Sequence, residues 1–353
     1  MAVFVRFFCL FFCLSAALSG AGRAGEQDTL RLGPSSGGTG QDRGRAGEQD
    51  TLRLGLVSFG SGAWLVDVMR RNDLPAAHGL DLQTVSLANP AAGEVALGAG
   101  GVDAILSDWL WVARQRAAGR RLVFIPDSSA MGEVLASPGS GIGGLADLSG
   151  KRLGVAGGPS DKSWLLVRAY SRRHLGYDLA DKVQPVYGAP PVLSQELSSG
   201  RLDAVLTFWP YAARLSAGGM RRVAGMDDVI MGLGFSSPVP MMGFAFSEDW
   251  VAAHSGGLNR FIAAKAEAER RMASDDGEWE RLRGLTGAEN DAVLSGLRDR
   301  YRAGLLGDGA LTDVPPQAAA LYAQLAAIGG PELTGGAERL PKGTFWTGGG
   351  GAP

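Results

Sequence analysis

The segment LGAGGVDAILSDWLWVAR, residues 97–114, aligns without gaps on LSSGRLDAVLTFWPYAAR, residues 197–214, one hundred positions later. Upstream, Trp64 in RLGLVSFGSGAW corresponds to Trp164 in RLGVAGGPSDKSW, and GLDL at 79–82 to GYDL at 176–179. A duplication of this size means two copies of one supersecondary plan. Each half reads as an apolar strand, a Gly/Ser turn, a Trp-headed helix, a second strand, a helix, a Gly-x-x-Asp-Ala strand and another Trp. Strands alternating with helices predict parallel sheets, so the fold class is α/β with two similar lobes. In open parallel sheets ligands bind beyond the strand carboxyl ends, and two such edges facing each other would form a cleft.

The tail has a different pattern. PVPMMGFAFS (238–247) reads as a buried strand, and residues 258–274 carry Leu258, Phe261, Ile262 and Met272 at helical spacing. Thr286 and Glu289 have capping-box spacing before another helix, and a third helix is expected after Pro315-Pro316. The tail is expected to return to the first lobe, with crossings near 134–140 and 229–238. The domains are then 51–135 plus 236–346 for the first lobe with C-terminal helices, and 136–235 for the second. Residues 347–353 form a disordered tail, and the whole of GTFWTGGGGAP looks like a loose end.

At the other end, GRAGEQDTLRLG stands at 22–33 and again at 44–55. The second copy continues into TLRLGLVSF, which alternates and then turns continuously apolar, as a strand entering a buried sheet does. The first continues into PSSGGTGQDRG, which cannot bury surface, so residues 22–50 are expected to be a flexible leader and the fold to use the second copy. Residues 1–21 have one early Arg6, an apolar run and small residues at Ser19-Gly20-Ala21, the layout of a secretory signal peptide. Cys9 and Cys13, the chain's two cysteines, lie inside it. Cleavage near Ala21 would therefore remove disulfides, thiolate–metal sites and a cysteine nucleophile together. A net charge of −2 without a basic stripe argues against nucleic-acid and anionic-membrane partners. His78, His174 and His254 are scattered, and no nucleophile elbow, phosphate loop or zinc pattern occurs, so no metal or cofactor is expected.

The candidate binding residues follow the strand ends. Ser58, Phe59, Gly60, Ser61 and Trp64 follow the first strand; Gly158, Ser160, Asp161, Lys162 and Trp164 follow its counterpart. Gly and Ser at a strand-to-helix turn leave backbone N–H groups facing outward, suited to an anionic or carbonyl group. Asp108 and Trp109 follow VDAIL, and Phe208, Trp209 and Tyr211 follow LDAVL. Aromatics there can stack on a flat ring or cage a cation, with Trp111 the first candidate for plain core packing. Asp108 either selects a cationic or donor ligand or caps its helix. Asp103 and Asp203 recur at strand starts, away from the cleft, where a structural role is expected. Lys162 is the one cation placed at the cleft, and the aromatic excess favours an organic ligand with a flat or apolar body, with room for a sulfonate or carboxylate end.

The phrases AAHGLDLQTV, ALGAGGVDAI, LADLSGKRLGVAGGPSD, LSSGRLDAVLTFWPYAAR and FSEDWVAAHSGGLNRFIAA resemble the periplasmic solute-binding proteins of ABC importers. The resemblance covers roughly residues 50–280 and is nearest to the nitrate/taurine/sulfonate-type branch with the thiamine-precursor binders. It implies a type II-like two-lobed fold with mixed sheets flanked by helices, and a monomeric, non-enzymatic protein of the periplasm. Such a protein would close on a small organic ligand and deliver it to an ABC permease in the inner membrane. The resemblance also supports a pocket role for Asn89, at the end of the second strand. A pyrimidine-precursor synthase is a remote alternative, since those enzymes carry a cysteine-rich segment that the chain beyond Ala21 lacks. An accessory protein presenting a ligand to a sensor or enzyme is the other alternative.

Overall fold

The computed structural model describes residues 50–254, 256–307 and 309–348. The expected signal peptide, the first copy of the repeated dodecapeptide and residues 349–353 lie outside the described residues. Ten strands are present among the described residues: β1 (Asp50–Val57), β2 (Leu80–Leu87), β3 (Ala104–Asp108), β4 (Leu122–Ser128), β5 (Glu133–Ala136), β6 (Arg152–Ala156), β7 (Gln184–Gly188), β8 (Ala204–Thr207), β9 (Arg221–Gly225) and β10 (Met242–Ser247). β1 is built from the second copy of the dodecapeptide, with Leu52 and Leu54 fully buried.

The strands form two five-stranded mixed sheets, ordered β2-β1-β3-β10-β4 and β7-β6-β8-β5-β9. The two orders are the same plan twice. In each, a parallel trio is followed by one antiparallel strand, β10 or β5, and a last strand beyond it. Each antiparallel strand arrives from the other lobe. The chain crosses between β4 and β5 at 129–132, a few residues ahead of the 134–140 expected, and Val134 and Leu135 already pair with Leu206 and Val205 of β8. It returns between the helix Met226–Gly232 and β10.

The duplicated aspartates hold the first strand of each lobe against the third. Asp103 accepts from the Arg53 amide at 2.8 Å and from its guanidinium at 3.0 and 2.6 Å. Asp203 repeats the arrangement on Arg152 at 2.8, 3.2 and 2.9 Å. Parallel strands leave one amide at the sheet margin unpaired, and a carboxylate placed there satisfies both that amide and a charged side chain.

The tail departs from the expectation. The helices Gly257–Ser274 and Asp276–Thr286 pack on the helix Ser61–Arg71 of the first lobe, but Asp291–Gly304 packs on Trp209–Ala217 of the second, and Ala310–Ile328 touches both β4 and Lys162–Leu175. Thr286 ends one helix rather than opening the next, its hydroxyl donating to the Arg283 carbonyl; Asn290 is the cap, accepting from the Val293 amide at 3.0 Å. The third helix begins before the proline pair, at Ala310, and contains it. Nor is GTFW a loose end. The Phe124 amide of β4 donates to the Thr344 carbonyl at 2.8 Å, the Trp346 amide donates to the Phe124 carbonyl at 3.0 Å, and Phe345 is buried against Phe124.

Asp103→Ala should destabilise the fold by about 1–3 kcal/mol in denaturant titration, since it removes the acceptor of the part-buried Arg53 amide and of the more exposed Arg53 guanidinium. Asp203→Ala should cost less, because the Asp203 side chain is 31% exposed against 10% for Asp103. Equal costs would contradict this account of the pair.

Candidate functional site

The turns that end the parallel strands converge on one cavity. β1 runs into Gly60, whose φ of +98° lets the chain enter the helix Ser61–Arg71 at once, without a side-chain cap. β6 runs into Gly157 and Gly158, at φ +89° and +102°, then Asp161, whose Oδ1 accepts from the amides of Ser163 and Trp164 at 2.9 and 3.4 Å and caps the helix Lys162–Leu175. Asp108 caps the helix Trp109–Ala117 in the same manner, accepting from the Trp111 amide at 2.7 Å. Capping and cavity lining are compatible, because one carboxylate oxygen suffices for the cap.

The cavity measures about 270 Å³ and is lined by both lobes. Of the residues expected there, Phe59, Gly60, Ser61 and Asp108 line it from the first lobe, and Ser160, Asp161, Lys162, Phe208 and Trp209 from the second. The others do not line it. Ser58 is exposed, Gly158 turns beside its lining neighbours Gly157 and Pro159, and exposed Asn89 caps the helix Pro90–Gly98 through the Ala92 amide at 2.9 Å. Trp64, Trp109 and Trp164 are buried in the cores: Trp64 meets Trp279 edge-on, Trp109 donates to the Pro240 carbonyl at 3.0 Å, and Trp164 is 1% exposed. Tyr211 packs on Phe59 at 6.2 Å and under the Arg214 guanidinium. Trp111 is core, as expected.

Several pairs join the lobes around the cavity. Phe59 meets Tyr211 edge-on at 6.2 Å, Trp64 meets Trp209 edge-on at 5.6 Å, and Arg114 Nη2 donates to the Ser160 carbonyl at 3.3 Å. Gly132, on the first crossing, lines the cavity so close to β8 that a Cβ there would collide with the Thr207 carbonyl oxygen.

The sequence reading missed Glu94, Asp127, Met131 and Met242, all of which line the cavity. Glu94 is the one charge in PAAGEVALG, and Asp127 ends the apolar run of β4; both are isolated charges in apolar surroundings, a signal that was available. Burial, with Asp108 and Asp161 nearby, pushes the Glu94 carboxyl up to about 7, against the opposing pull of Arg114 and a Trp111 hydrogen bond. Burial also pushes Asp161 up, against the adjacent Lys162. Asp127 pairs with Lys265 at 2.9 Å, and Lys265 also holds Glu269 at 2.8 Å. Burial and then Asp127 push Glu269 up to about 7. Among the described residues, no group of three His, Cys, Asp or Glu is placed to hold a metal ion.

Two mixed α/β lobes exchanging a strand each, with a cavity between their strand ends, define the class of two-lobed periplasmic binding proteins. Residues 76–276 match the family described as NMT1/THI5 like, and the chain belongs to that family. Among solved structures it is similar to the alkanesulfonate-binding protein SsuA from Xanthomonas axonopodis pv. citri bound to MOPS, at 18% identity over 85% of this chain and 99% of that one, with a TM-score of 0.64. The periplasmic aliphatic sulphonate binding protein SsuA from Escherichia coli is similar at 19% identity over 83% and 98%, TM-score 0.59. The periplasmic nitrate-binding protein NrtA from Synechocystis PCC 6803 is similar at 13% identity over 72% and 70%, TM-score 0.55. A search of the curated proteins gives no match.

The raised carboxyls make a pH prediction. Between roughly pH 4.5 and 7 the folded protein keeps protons on Glu94 and Glu269 that the unfolded chain has released, so stability falls as pH rises through that window. In thermal melts of the ligand-free protein, Glu94→Gln should therefore gain stability relative to the parent at pH 8 and gain little at pH 5. A constant difference at both pH values would contradict the raised Glu94.

Proposed function

We propose that this protein is the substrate-binding component of an ABC importer, working in the periplasm. It captures a small organic solute by hinge closure and hands it to an inner-membrane permease. The observation that carries the reading is the cavity itself, which draws its lining from strand-end turns of both lobes. A ligand held there touches both lobes at once, so the closed state gains contacts that the open state lacks and its population rises. The names of the similar structures, which bind alkanesulfonates and nitrate, support transport binding as the function. No helix among the described residues is long and apolar enough to cross a membrane.

Binding rather than catalysis fits the lining. It combines Phe59, Phe208 and Trp209 with Leu56, Met131 and Met242, an apolar frame for a flat or aliphatic body, and holds no nucleophile–base pair of the kind hydrolases use. The solute is either sulfonate- or taurine-like or heteroaromatic, and the aromatic frame favours the second. The protein acts as a monomer in this reading, with the permease as its macromolecular partner.

A saturating ligand at one hundred times its dissociation constant should stabilise the protein by about 2.7 kcal/mol, a readable rise in melting temperature. Phe208→Ala should remove most of that rise while leaving the ligand-free melt little changed, because Phe208 is half-buried at the cavity wall. A ligand-induced rise that survives Phe208→Ala would place binding elsewhere.

A further inference from the structure

The cavity combines an apolar frame with an excess of hydrogen-bond acceptors. Glu94 and Asp108 reach it from the first lobe and Asp161 from the second. Asp127 also lines it, but that carboxylate is already matched by Lys265. Glu94 has no ion-pair partner among the described residues, and each of the other two spends one oxygen on a helix cap. The lobes therefore bring like charges toward one another, and closure is opposed unless something positive comes between them.

The single lining cation does not fill that place. Lys162 is 7% exposed, and its nearest carboxylate oxygen, Asp161 Oδ2, is 4.0 Å from Nζ, beyond hydrogen-bond reach. Its ammonium stands over the Phe208 ring, 5.8 Å from the centroid, and keeps its hydrogen-bonding capacity for a ligand at the cavity. Arg114 faces Glu94 from the helix Trp109–Ala117 but does not line the cavity, and it donates to Ser160. The uncapped helix starts at Ser61 and Trp209 add partial positive charge, about half a charge each, too little to offset the carboxylates.

Resting on the reading of this cavity as a ligand site, we infer that its ligand is an organic amine or other nitrogen cation whose charged end lies among Glu94, Asp108 and Asp161, and which also carries an acceptor for Lys162. Anions of the sulfonate and nitrate kind are disfavoured. The flat body of such a cation lies against Trp209, whose ring adds further attraction to positive charge, while Phe208 carries the Lys162 ammonium. The cation takes the position between the two lobes' carboxylates, so it is what permits them to close.

Glu94 makes the inference testable by pH. Its carboxyl, raised to about 7 by burial and by Asp108 and Asp161, must lose a proton to receive a cation. Asp108, Asp161, Arg114 and the Trp111 indole are the polar groups that face it, and of these Arg114 and Trp111 favour its ionised form. Amine affinity should therefore rise about tenfold between pH 6 and pH 8, with release of up to one proton on binding, and the slope should vanish in Glu94→Gln.

The experiment is calorimetric titration of the purified protein with 4-(aminomethyl)pyridine, benzylamine, benzoate and benzenesulfonate at pH 6, 7 and 8. The expected result is that the two amines bind, the pyridine more tightly because its ring nitrogen can accept from Lys162, and that their affinity rises with pH. Tighter binding of benzoate or benzenesulfonate, or amine binding that weakens as pH rises, would overturn the cationic ligand while leaving a ligand-binding cavity intact. Heat from none of the four would count against the cavity as a ligand site, and so against both readings. The parent's pH slope needs no variant, so a misfolded Glu94→Gln would not rescue the inference.

Discussion

Each sheet takes its fourth strand from chain that has just crossed out of the other lobe, and the rest of the structure depends on that exchange. β10, which follows the whole second lobe in sequence, pairs between β3 and β4, and β5, the first strand after the outward crossing, pairs between β8 and β9. The crossings thus run beside the strands whose ends make the cavity wall. Gly132 lies where one of them presses on β8, a contact that excludes any larger side chain. In the proposed closure, a small rotation at the crossings would move Asp161, Lys162 and Phe208 relative to Phe59 and Asp108, all of which line the cavity.

The tail adds a constraint that a simple two-lobed plan lacks. Asp291–Gly304 rests on the second lobe, and Ala310–Ile328 lies between β4 and Lys162–Leu175. Arg168 and Arg172 pair with both Asp178 and Glu332, tying the short helix Pro331–Thr334 to the second lobe. Arg168 and Arg172, outweighing the burial that opposes them, hold the Asp178 carboxyl down at about 2, so this network stays charged throughout the physiological range. Around the cavity the joining contacts are two aromatic edges, Phe59 on Tyr211 and Trp64 on Trp209, which can part and re-form without stranding a charge, and one hydrogen bond, from Arg114 to the Ser160 carbonyl.

The duplication made the architecture legible. Two segments with the same strand, turn and helix order had to build two sheets of one topology, and the recurrent Asp103 and Asp203 fell at strand starts because their task is to pin Arg53 and Arg152. The turns were legible too, since Gly and Ser before a helix mark a strand end. What could not be read was the face chosen by a single bulky side chain. Trp64 and Trp164 stand on the first turn of their helices, where one face looks to the cavity and the next to the core, and the larger apolar area went inward. Asn89 was used by its own helix, as asparagine after a strand often is. Glu94 was legible as the one charge of its segment, but its helix shows little amphipathic pattern to tell which way that charge points. The capping box at Thr286 and Glu289 had the right spacing, but Asn290, one residue later, begins from an extended backbone and takes the cap.

The central claim is that the two lobes move as bodies and that ligand holds them closed. Val95, 72% exposed on the helix Pro90–Gly98, and Val192, 58% exposed on Pro190–Ser198, stand on corresponding helices of the two lobes. With Cys9 and Cys13 replaced by serine, cysteines at these two positions would carry spin labels for a distance measurement by pulsed electron resonance. The account predicts a broad or bimodal distance distribution without ligand, collapsing to one component when a cavity ligand is added. A single unchanged distance in both states would contradict it, and would make the cavity a rigid pocket rather than a closing one.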